Sequence, residues 1–352
     1  MKEFFPPLVA SIITYLLTYP TIILAKKFNI VTDIKKRQHP AHTHFGIIPR
    51  AGGIPIYLSI LLSSLIYLQL NKLLVGILIA SFFIVFVGFV DDFFDLSPYL
   101  RFILNLLIST FVVLFGLGTP YISNPFDGVI RLDQTIITLN ILGARKILIF
   151  ADLLSILWLT AVTNIVNWSK GVDGQMPGFV AITAFFLGLL SKRFTAHDIS
   201  IETTMIFSFI VAGSYLGFLP WNFYPQKIMP GYGGGALAGF LLGVLSILSF
   251  GKLGTFILII SLPLIDGLYT IIRRLAHKKS PFRADWGHFH HRLLEIGWGK
   301  RRIAVFYWMV SFFLGFASLF LKKEEKLLAF LTIGLFLIFF IYLIEKIKKQ
   351  KI

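Results

Sequence analysis

Three histidines fall within four residues of one polar stretch, at His288, His290 and His291. They lie in a strongly basic segment, 273–302, between two long apolar runs. Imidazoles beside guanidinium groups make a poor hydrophobic core and a good phosphate site. A metal site is a second option, although only Asp285 supplies a carboxylate nearby. A third is a basic loop on anionic lipid, to whose attraction neutral imidazole adds little. We therefore interpret the segment as phosphate-binding.

Two adjacent carboxylates, Asp91 and Asp92, end another apolar run. A carboxylate at the membrane boundary is costly to desolvate and tends to be functional when it faces a polar cavity. Adjacent carboxylates can also split their pKa values, which leaves one as a base or a metal ligand. The alternative is a solvated helix end.

A third polar stretch follows a later apolar run and contains Asn164 and Asn167, about one helical turn apart on one face. Asparagine at that depth needs hydrogen-bonding partners. Gly171 and Gly174 then let the backbone approach a ligand closely. Ordinary helix capping remains an alternative for Asn167.

The elements that must position these residues are membrane helices. Of the 352 residues, 56% are hydrophobic and 14% charged, and the mean hydropathy is +0.81, whereas soluble domains average about 25% charged residues. Apolar runs of roughly 20 residues predict an all-α, multi-span membrane protein. We predict a single integral domain over 1–352, with eleven transmembrane helices at 4–25, 51–70, 73–91, 101–118, 147–168, 177–191, 203–220, 234–250, 253–275, 303–321 and 327–346.

The distribution of basic residues predicts the orientation. With the N-terminus outside, 22 of the 33 lysines and arginines lie in inner segments, which favours this topology. The polar stretches then share the cytoplasmic face of a multi-pass plasma-membrane protein. A net charge of +16 reflects orientation and anionic lipid rather than nucleic-acid binding. No cleavable signal is evident.

Two further features limit the chemistry. The outer segment 119–146 reads as a short β-hairpin with Asp127-Gly128 as its turn. The chain has no cysteine, which excludes disulfides, thiolate metal sites and cysteine nucleophiles.

Taken in order, the motifs resemble the polyprenyl-phosphate N-acetylhexosamine-1-phosphate transferases, the membrane glycosyltransferase family 4. The matching pieces span nearly the whole chain: Pro49-Arg-Ala-Gly-Gly53, Gly88-Phe-Val-Asp-Asp92 with Leu96-Ser-Pro98 and Arg101, Asn164-x-x-Asn167 with Gly171-x-Asp173-Gly174, Asn222 with Pro225, and Pro281-Phe-Arg-Ala-Asp-x-x-His-x-His-His291. Asp266 and the histidine pattern resemble the undecaprenyl-phosphate N-acetylglucosamine branch more than the phospho-N-acetylmuramoyl-pentapeptide branch.

The resemblance implies transfer of a sugar phosphate from a UDP-N-acetylhexosamine to a polyprenyl phosphate, giving a lipid-linked pyrophosphate sugar and UMP for cell-envelope polysaccharides. Asp91 then matches the catalytic carboxylate, with Asp92 beside it. Membrane lipid is an expected partner, nucleic acid is not, and a homodimer is left open. The predicted substrate-binding residues are Lys36, Arg37, His44, Arg101, Asn164, Asn167, Lys170, Asp173, Asn222, Arg283, His288, His290 and His291. Lys170 departs from the family pattern and is included as a hypothesis, because an ammonium group binds phosphate and can neutralise the pyrophosphate in the metal's place.

The chain departs from the family pattern at the metal site that the resemblance implies. Lys170 and Tyr232 stand where the family has aspartates; the metal positions are therefore Asn167 and the altered Tyr232. Magnesium prefers hard oxygen ligands such as carboxylates, and neither replacement supplies one. Two alternatives to an active transferase stay open: a catalytically inactive relative that binds lipid phosphate or nucleotide, and a transporter. Transport predicts ionisable residues within mid-membrane spans, whereas here the polar residues cluster at one face.

Overall fold

The computed structural model describes residues 4–33, 46–124, 128–140, 144–192, 199–249, 253–281 and 286–350. The described part is mainly helical. Its helices, in chain order, are α1 Phe5–Lys27, α2 Gly53–Tyr67, α3 Lys72–Phe94, α4 Pro98–Leu114, α5 Ile149–Trp168, α6 Gln175–Lys192, α7 Ile199–Asn222, α8 Gly231–Leu248, α9 Leu253–Ile259, α10 Ser261–Ala276, α11 Phe289–Glu295, α12 Lys300–Ser318 and α13 Lys323–Gln350.

The prediction of an all-α integral membrane protein is confirmed. Within the described ranges, seven helices are long and apolar enough to cross a membrane, namely α1, α3, α5, α6, α7, α8 and α13. The predicted spans 51–70 and 101–118 correspond to the shorter apolar helices α2 and α4. The span predicted at 303–321 corresponds to α12, whose first turn carries Lys300, Arg301 and Arg302. The single-domain interpretation stays a prediction.

The continuous span predicted at 253–275 is wrong. The chain breaks at Ile260, and α9 and α10 meet at an angle of 83°. Pro263 falls in the first turn of α10, where its missing N–H costs no hydrogen bond. Hydropathy could not reveal the break, because the apolar run continues through it.

The small amount of sheet lies between the helices as three two-stranded antiparallel pairs. One pair joins β1 Val31–Asp33 to β2 Ile47–Pro49. The predicted outer hairpin appears as β3 Tyr121–Ser123 with β4 Val129–Arg131, although its turn residues 125–127 lie outside the described part. A second hairpin, β5 Ile136–Asn140 with β6 Ala144–Leu148, was missed. Its second strand ends in the apolar pair Ile147-Leu148, which was assigned to the start of the predicted span 147–168.

Helix α8 forms the centre of the fold. Every residue from Gly231 to Ile247 is buried, and it packs against α2, α3, α5 and α7. A helix that is apolar all round has to be surrounded by protein or lipid. By contrast, only 17% of the apolar part of α13 and 28% of that of α1 are buried. Their exposed Phe, Leu and Ile side chains suit contact with lipid tails.

Candidate functional site

The end of α3 brings Asp91 against an arginine of the next helix. Asp95 adopts a left-handed conformation, with φ at 53°, and ends α3. Ser97 then caps α4 by accepting a hydrogen bond from Leu100 N, and Pro98 occupies the first turn. This tight reversal lets Arg101 Nη1 donate to both carboxylate oxygens of Asp91, at 3.2 and 3.3 Å.

Asp92 has a different arginine. Arg50 Nε lies 3.0 Å from its Oδ1, and the backbone N–H of Tyr232 donates to the same carboxylate. Both aspartates are buried, Asp91 completely. An unpaired carboxylate in such a place costs several kcal/mol. The two arginines therefore offset the negative charges of both carboxylates within the protein.

The first turn of α8 packs closely against three helices, touching the backbone of α2 and α3 and a side chain of α5. A Cβ on Gly88 of α3 would lie 2.2 Å from the Cα of Gly233. A Cβ on Gly53 of α2 would lie 2.6 Å from the backbone nitrogen of Gly234. One on Gly235 would lie 2.3 Å from Asn167 Oδ1 of α5. The glycine-rich sequence is therefore needed for close approach, and it gathers the polar ends of α3 and α5 around one point.

Lys170 lies at that point, just after α5. Its Nζ donates to Asn167 Oδ1 at 2.7 Å and to the carbonyl oxygen of Gly231 at 2.8 Å. It also lies over the ring of Tyr232, 5.6 Å from the centroid. Burial lowers the pKa of Lys170 to about 7, and the negative charge of Asp92 opposes that shift.

These residues do not fit the magnesium site that the family pattern implies. The Asn167 oxygen accepts its hydrogen bond from an ammonium group. The Tyr232 hydroxyl accepts from Asn105 Nδ2 at 2.9 Å, and a neutral phenol is a poor ligand for a hard cation. In the part of the chain that the structure describes, no three His, Asp or Glu side chains are grouped so as to hold a metal ion.

A second polar group surrounds Asp173. The carboxylate pairs with Lys300 Nζ at 3.2 Å and accepts from Gln226 Nε2 at 3.1 Å. Asn222, predicted to contact substrate, makes three hydrogen bonds to protein. Its Oδ1 accepts from Gly174 N, and its Nδ2 donates to the Ile228 carbonyl and the Gln226 side chain. In this structure Asn222 holds the 173–174 turn in place.

The histidine region is built around Asp266 of α10. Its Oδ1 accepts from the backbone N–H of Phe289 at 2.8 Å, and its Oδ2 lies 3.0 Å from His288 Nδ1. This pair fixes the start of α11 and the ring of His288. The rings of His288 and His290 stack with their centroids 5.5 Å apart, and the ring of His291 stacks on Trp286 at 4.0 Å.

His290 differs from its neighbours because neither ring nitrogen has a hydrogen-bond partner among the residues that the structure describes, although the residue is 1% exposed. Burial, together with His291 and His288, holds its pKa well below the usual range, so the ring is neutral near pH 7. Its Nε2 lies against Gly171: a Cβ there would be 2.0 Å away. The imidazole therefore reaches the segment that carries Lys170.

The segment 169–174 joins the three groups. Lys170 contacts α8, Gly171 contacts His290, and Asp173 contacts Lys300. Side chains predicted from four separate stretches are thus brought together. The site residues concerned are Asp91, Asp92, Arg101, Asn167, Lys170, Asp173, Asn222, Tyr232, His288, His290 and His291.

The remaining predicted residues either bond within their own helix or lie outside the described part of the chain. Asn164 Nδ2 donates to Thr160 O within its own helix, and its contact with substrate stays a prediction. Lys36, Arg37, His44 and Arg283 lie outside the described residues. Sequence reasoning missed three residues that complete the site: Arg50, Gln226 and Lys300. Arg50 was inside a quoted motif, but neither Gln226 nor Lys300 had a local signal.

The chain matches the family model of glycosyl transferase family 4 over residues 74–250. It is 30% identical to the decaprenyl-phosphate N-acetylglucosaminephosphotransferase of Mycobacterium leprae, over 88% of this chain and 82% of that protein. It is 28% identical to a probable undecaprenyl-phosphate N-acetylglucosaminyl 1-phosphate transferase of Bacillus subtilis, over 94% of this chain and 88% of the relative. A phospho-N-acetylmuramoyl-pentapeptide-transferase of Moorella thermoacetica is 25% identical, over 91% and 99%.

These similarities run through the helices that carry the site, since the family match begins in α3 and ends after α8. They also confirm the resemblance drawn from the motifs, because the N-acetylglucosamine transferases are more similar than the muramoyl-pentapeptide transferase. The chain is therefore a membrane-embedded member of glycosyl transferase family 4.

Proposed function

We propose that this protein transfers N-acetylglucosamine 1-phosphate from UDP-N-acetylglucosamine to a polyprenyl phosphate at the cytoplasmic face of the plasma membrane. The names of its relatives support the substrate class. The observation that carries the proposal is the group of two buried aspartates and three partly buried cations, Asp91 with Arg101, Asp92 with Arg50, and Lys170. Such a group can exchange internal ion pairs for contacts with phosphate.

In the proposed reaction an oxygen of the lipid phosphate forms a bond to the sugar-bearing phosphorus of the donor. The bond from that phosphorus to the oxygen of UMP breaks, and UMP leaves with the electron pair. Two anionic groups must approach each other, so catalysis depends on neutralising charge and on alignment. Arg101 and Arg50 supply fixed positive charge at the point where the two helices α3 and α8 meet.

Asp91 is the proposed catalytic carboxylate. When Arg101 turns towards a phosphate, Asp91 Oδ1 and Oδ2 lose their hydrogen-bond donors. The freed carboxylate can accept the remaining proton of a lipid phosphate, or align that phosphate for attack. Asp92 keeps the backbone N–H of Tyr232 as a donor and serves to hold Arg50 in place.

The donor nucleotide is proposed to bind between Asp173 and the histidine region. Lys300 and Gln226 hold the Asp173 carboxylate, and His290 has two ring nitrogens free to bond a ligand. The excess of basic residues in the predicted inner segments supports a cytoplasmic position, where UDP-sugars are made.

The test is UMP release by the purified protein in detergent, with UDP-N-acetylglucosamine and undecaprenyl phosphate. Release that requires both substrates, together with formation of lipid-linked N-acetylglucosamine, supports the proposal. Binding of the UDP-sugar without any release would indicate a catalytically inactive relative. If the protein shows no binding of the UDP-sugar and no UMP release, the proposed substrate is contradicted. Replacing the donor by UDP-N-acetylgalactosamine tests the sugar, and decaprenyl phosphate tests the lipid.

A further inference from the structure

We infer that Lys170 is a tethered cation that takes the place of a divalent metal ion in this site, so that substrate phosphates are bound without magnesium. The inference rests on the proposed function for the identity of the ligand, because it takes phosphate groups as the anions. Its consequences for the binding of metal ions and phosphate can be tested without any turnover.

The position of the ammonium group is the first observation. Lys170 Nζ is held by a side-chain oxygen of Asn167 and a backbone oxygen of Gly231, at 2.7 and 2.8 Å. Neutral oxygens of this kind can bind a hard cation, but here they accept hydrogen bonds from the protein's own charge. An ammonium group has three N–H donors. Two are used, which leaves the third for an anion.

The lysine is held there by close packing. A Cβ on Gly235 would lie 3.1 Å from Lys170 Cδ and 2.3 Å from Asn167 Oδ1. The aliphatic stem of the lysine therefore lies against the glycine surface of α8. Since Gly231 has a positive φ of 69°, its carbonyl comes from a turn that a side chain would strain.

The two altered positions contact each other. Lys170 lies over the Tyr232 ring at 5.6 Å, and the Arg101 guanidinium lies over the same ring at 5.1 Å. The hydroxyl group of Tyr232 is fixed by Asn105. An aromatic face attracts cations, so the tyrosine supports two positive charges where a carboxylate would bind a metal ion. The replacements thus form one cation-binding arrangement.

The charge balance opposes a further cation. Lys170 interacts with the charges of Asp92, Asp91, Arg50 and Arg101. With the lysine protonated these five groups carry a net charge of +1, since three are cationic and two anionic. A divalent ion would enter a positive region, whereas a phosphate would be attracted to it. A phosphate also favours the protonated lysine.

The ion-binding experiment compares wild type with Lys170→Asp and with the double variant Lys170→Asp, Tyr232→Asp, using Mn²⁺ as the probe and electron paramagnetic resonance to count bound ions. Lys227→Asp is the control, because it makes the same charge change at an exposed lysine. We expect about one bound Mn²⁺ per chain in the double variant and none above the control in wild type. Stoichiometric Mn²⁺ binding by wild type that Mg²⁺ displaces would overturn the inference.

The second experiment measures UDP-N-acetylglucosamine binding by calorimetry in excess EDTA, for wild type and Lys170→Met, which keeps the length of the stem. We expect wild-type binding within twofold of its value in Mg²⁺, and at least tenfold weaker binding in Lys170→Met. Loss of wild-type binding in EDTA would overturn the inference even if the double variant does not fold. If both experiments give the expected results but no UMP is released with undecaprenyl phosphate, only the proposed function fails.

Discussion

The carboxylate region and the histidine region of this site differ in how their polar groups are satisfied. At the ends of α3 and α4, Asp91 and Asp92 are each paired with an arginine. In α11, His290 is buried and neutral, and its two ring nitrogens have no partner within the described part of the chain. The carboxylate region neutralises its charges in internal ion pairs. The histidine region contains ring nitrogens that make no hydrogen bond to the described protein.

This difference indicates two ways of preparing a site for an anionic substrate. A paired carboxylate keeps its arginine until a phosphate competes for it. Binding of the phosphate then replaces one strong ion pair, carboxylate with arginine, by another, phosphate with arginine. An unpaired imidazole already carries the cost of burial, and a ligand that bonds to it recovers that cost. We therefore expect the carboxylate region to govern turnover and the histidine region to govern stability and donor affinity.

The largest expected effect comes from removing the charge of Asp91. Asp91→Asn keeps the volume but cannot act as a base, and Arg101 loses its ionic partner. We expect UMP release to fall by about 10³-fold. The size-exclusion profile of the protein, which reports whether it is folded, should be unchanged. Asp95→Asn is the control, because Asp95 is exposed at the end of the same helix. Full turnover by Asp91→Asn would show that another group is the catalytic carboxylate.

A methyl group at residue 171 tests whether the two regions act together. Gly171→Ala places a Cβ 2.0 Å from His290 Nε2, so the imidazole or the 169–174 segment has to move. Misplacement of about 1 Å can cost roughly 100-fold in rate, and overpacking costs about 1–3 kcal/mol of stability. The measurements are UMP release and thermal unfolding in detergent. Gly299→Ala is the control, since no atom lies within 4 Å of a Cβ there. Equal effects of the two substitutions would contradict this contact.

A smaller effect is expected at the support of the histidine region. Asp266→Asn keeps an acceptor for Phe289 N but replaces the carboxylate oxygen that lies beside His288 Nδ1. Loss of one charge-assisted hydrogen bond costs about 1.5–3 kcal/mol. We expect lower thermal stability and about tenfold weaker binding of the UDP-sugar, measured by calorimetry. A lower rate of UMP release with unchanged affinity for the UDP-sugar would show that the histidine region governs turnover, as the carboxylate region does.

The smallest effect is a pH dependence of stability. Because burial holds the pKa of His290 below its unfolded value of about 6.5, the folded state binds fewer protons than the unfolded state. Stability is then complete above about pH 6.5 and decreases as the pH falls below that value. We expect the unfolding temperature of wild type to fall more steeply from pH 7 to 5.5 than that of His290→Gln. The exposed His277 provides the control, as His277→Gln, and identical slopes for wild type and His290→Gln would contradict a buried neutral imidazole.

The sequence by itself determined the protein class and most members of the site. Apolar runs identify membrane helices because the bilayer requires them whatever the neighbouring helices do. Asp91, Asp92 and the three histidines stood out because polar groups are rare beside such runs. The left-handed Asp95 and the capping of α4 by Ser97 and Pro98 are also local, and together they bring Arg101 near Asp91.

Only the tertiary structure decided which groups pair. Arg50 meets Asp92, and Lys300 meets Asp173, across separations of 42 and 127 residues that no local pattern encodes. The break between α9 and α10 was hidden inside an apolar run. In the sequence Lys170 was either a lost metal ligand or a cation in the metal's place, and the structure gives its ammonium two oxygen partners and an aromatic face. The physical reason is that backbone contact at the glycines of α8 sets the distances between helices, and those distances decide which side chains meet.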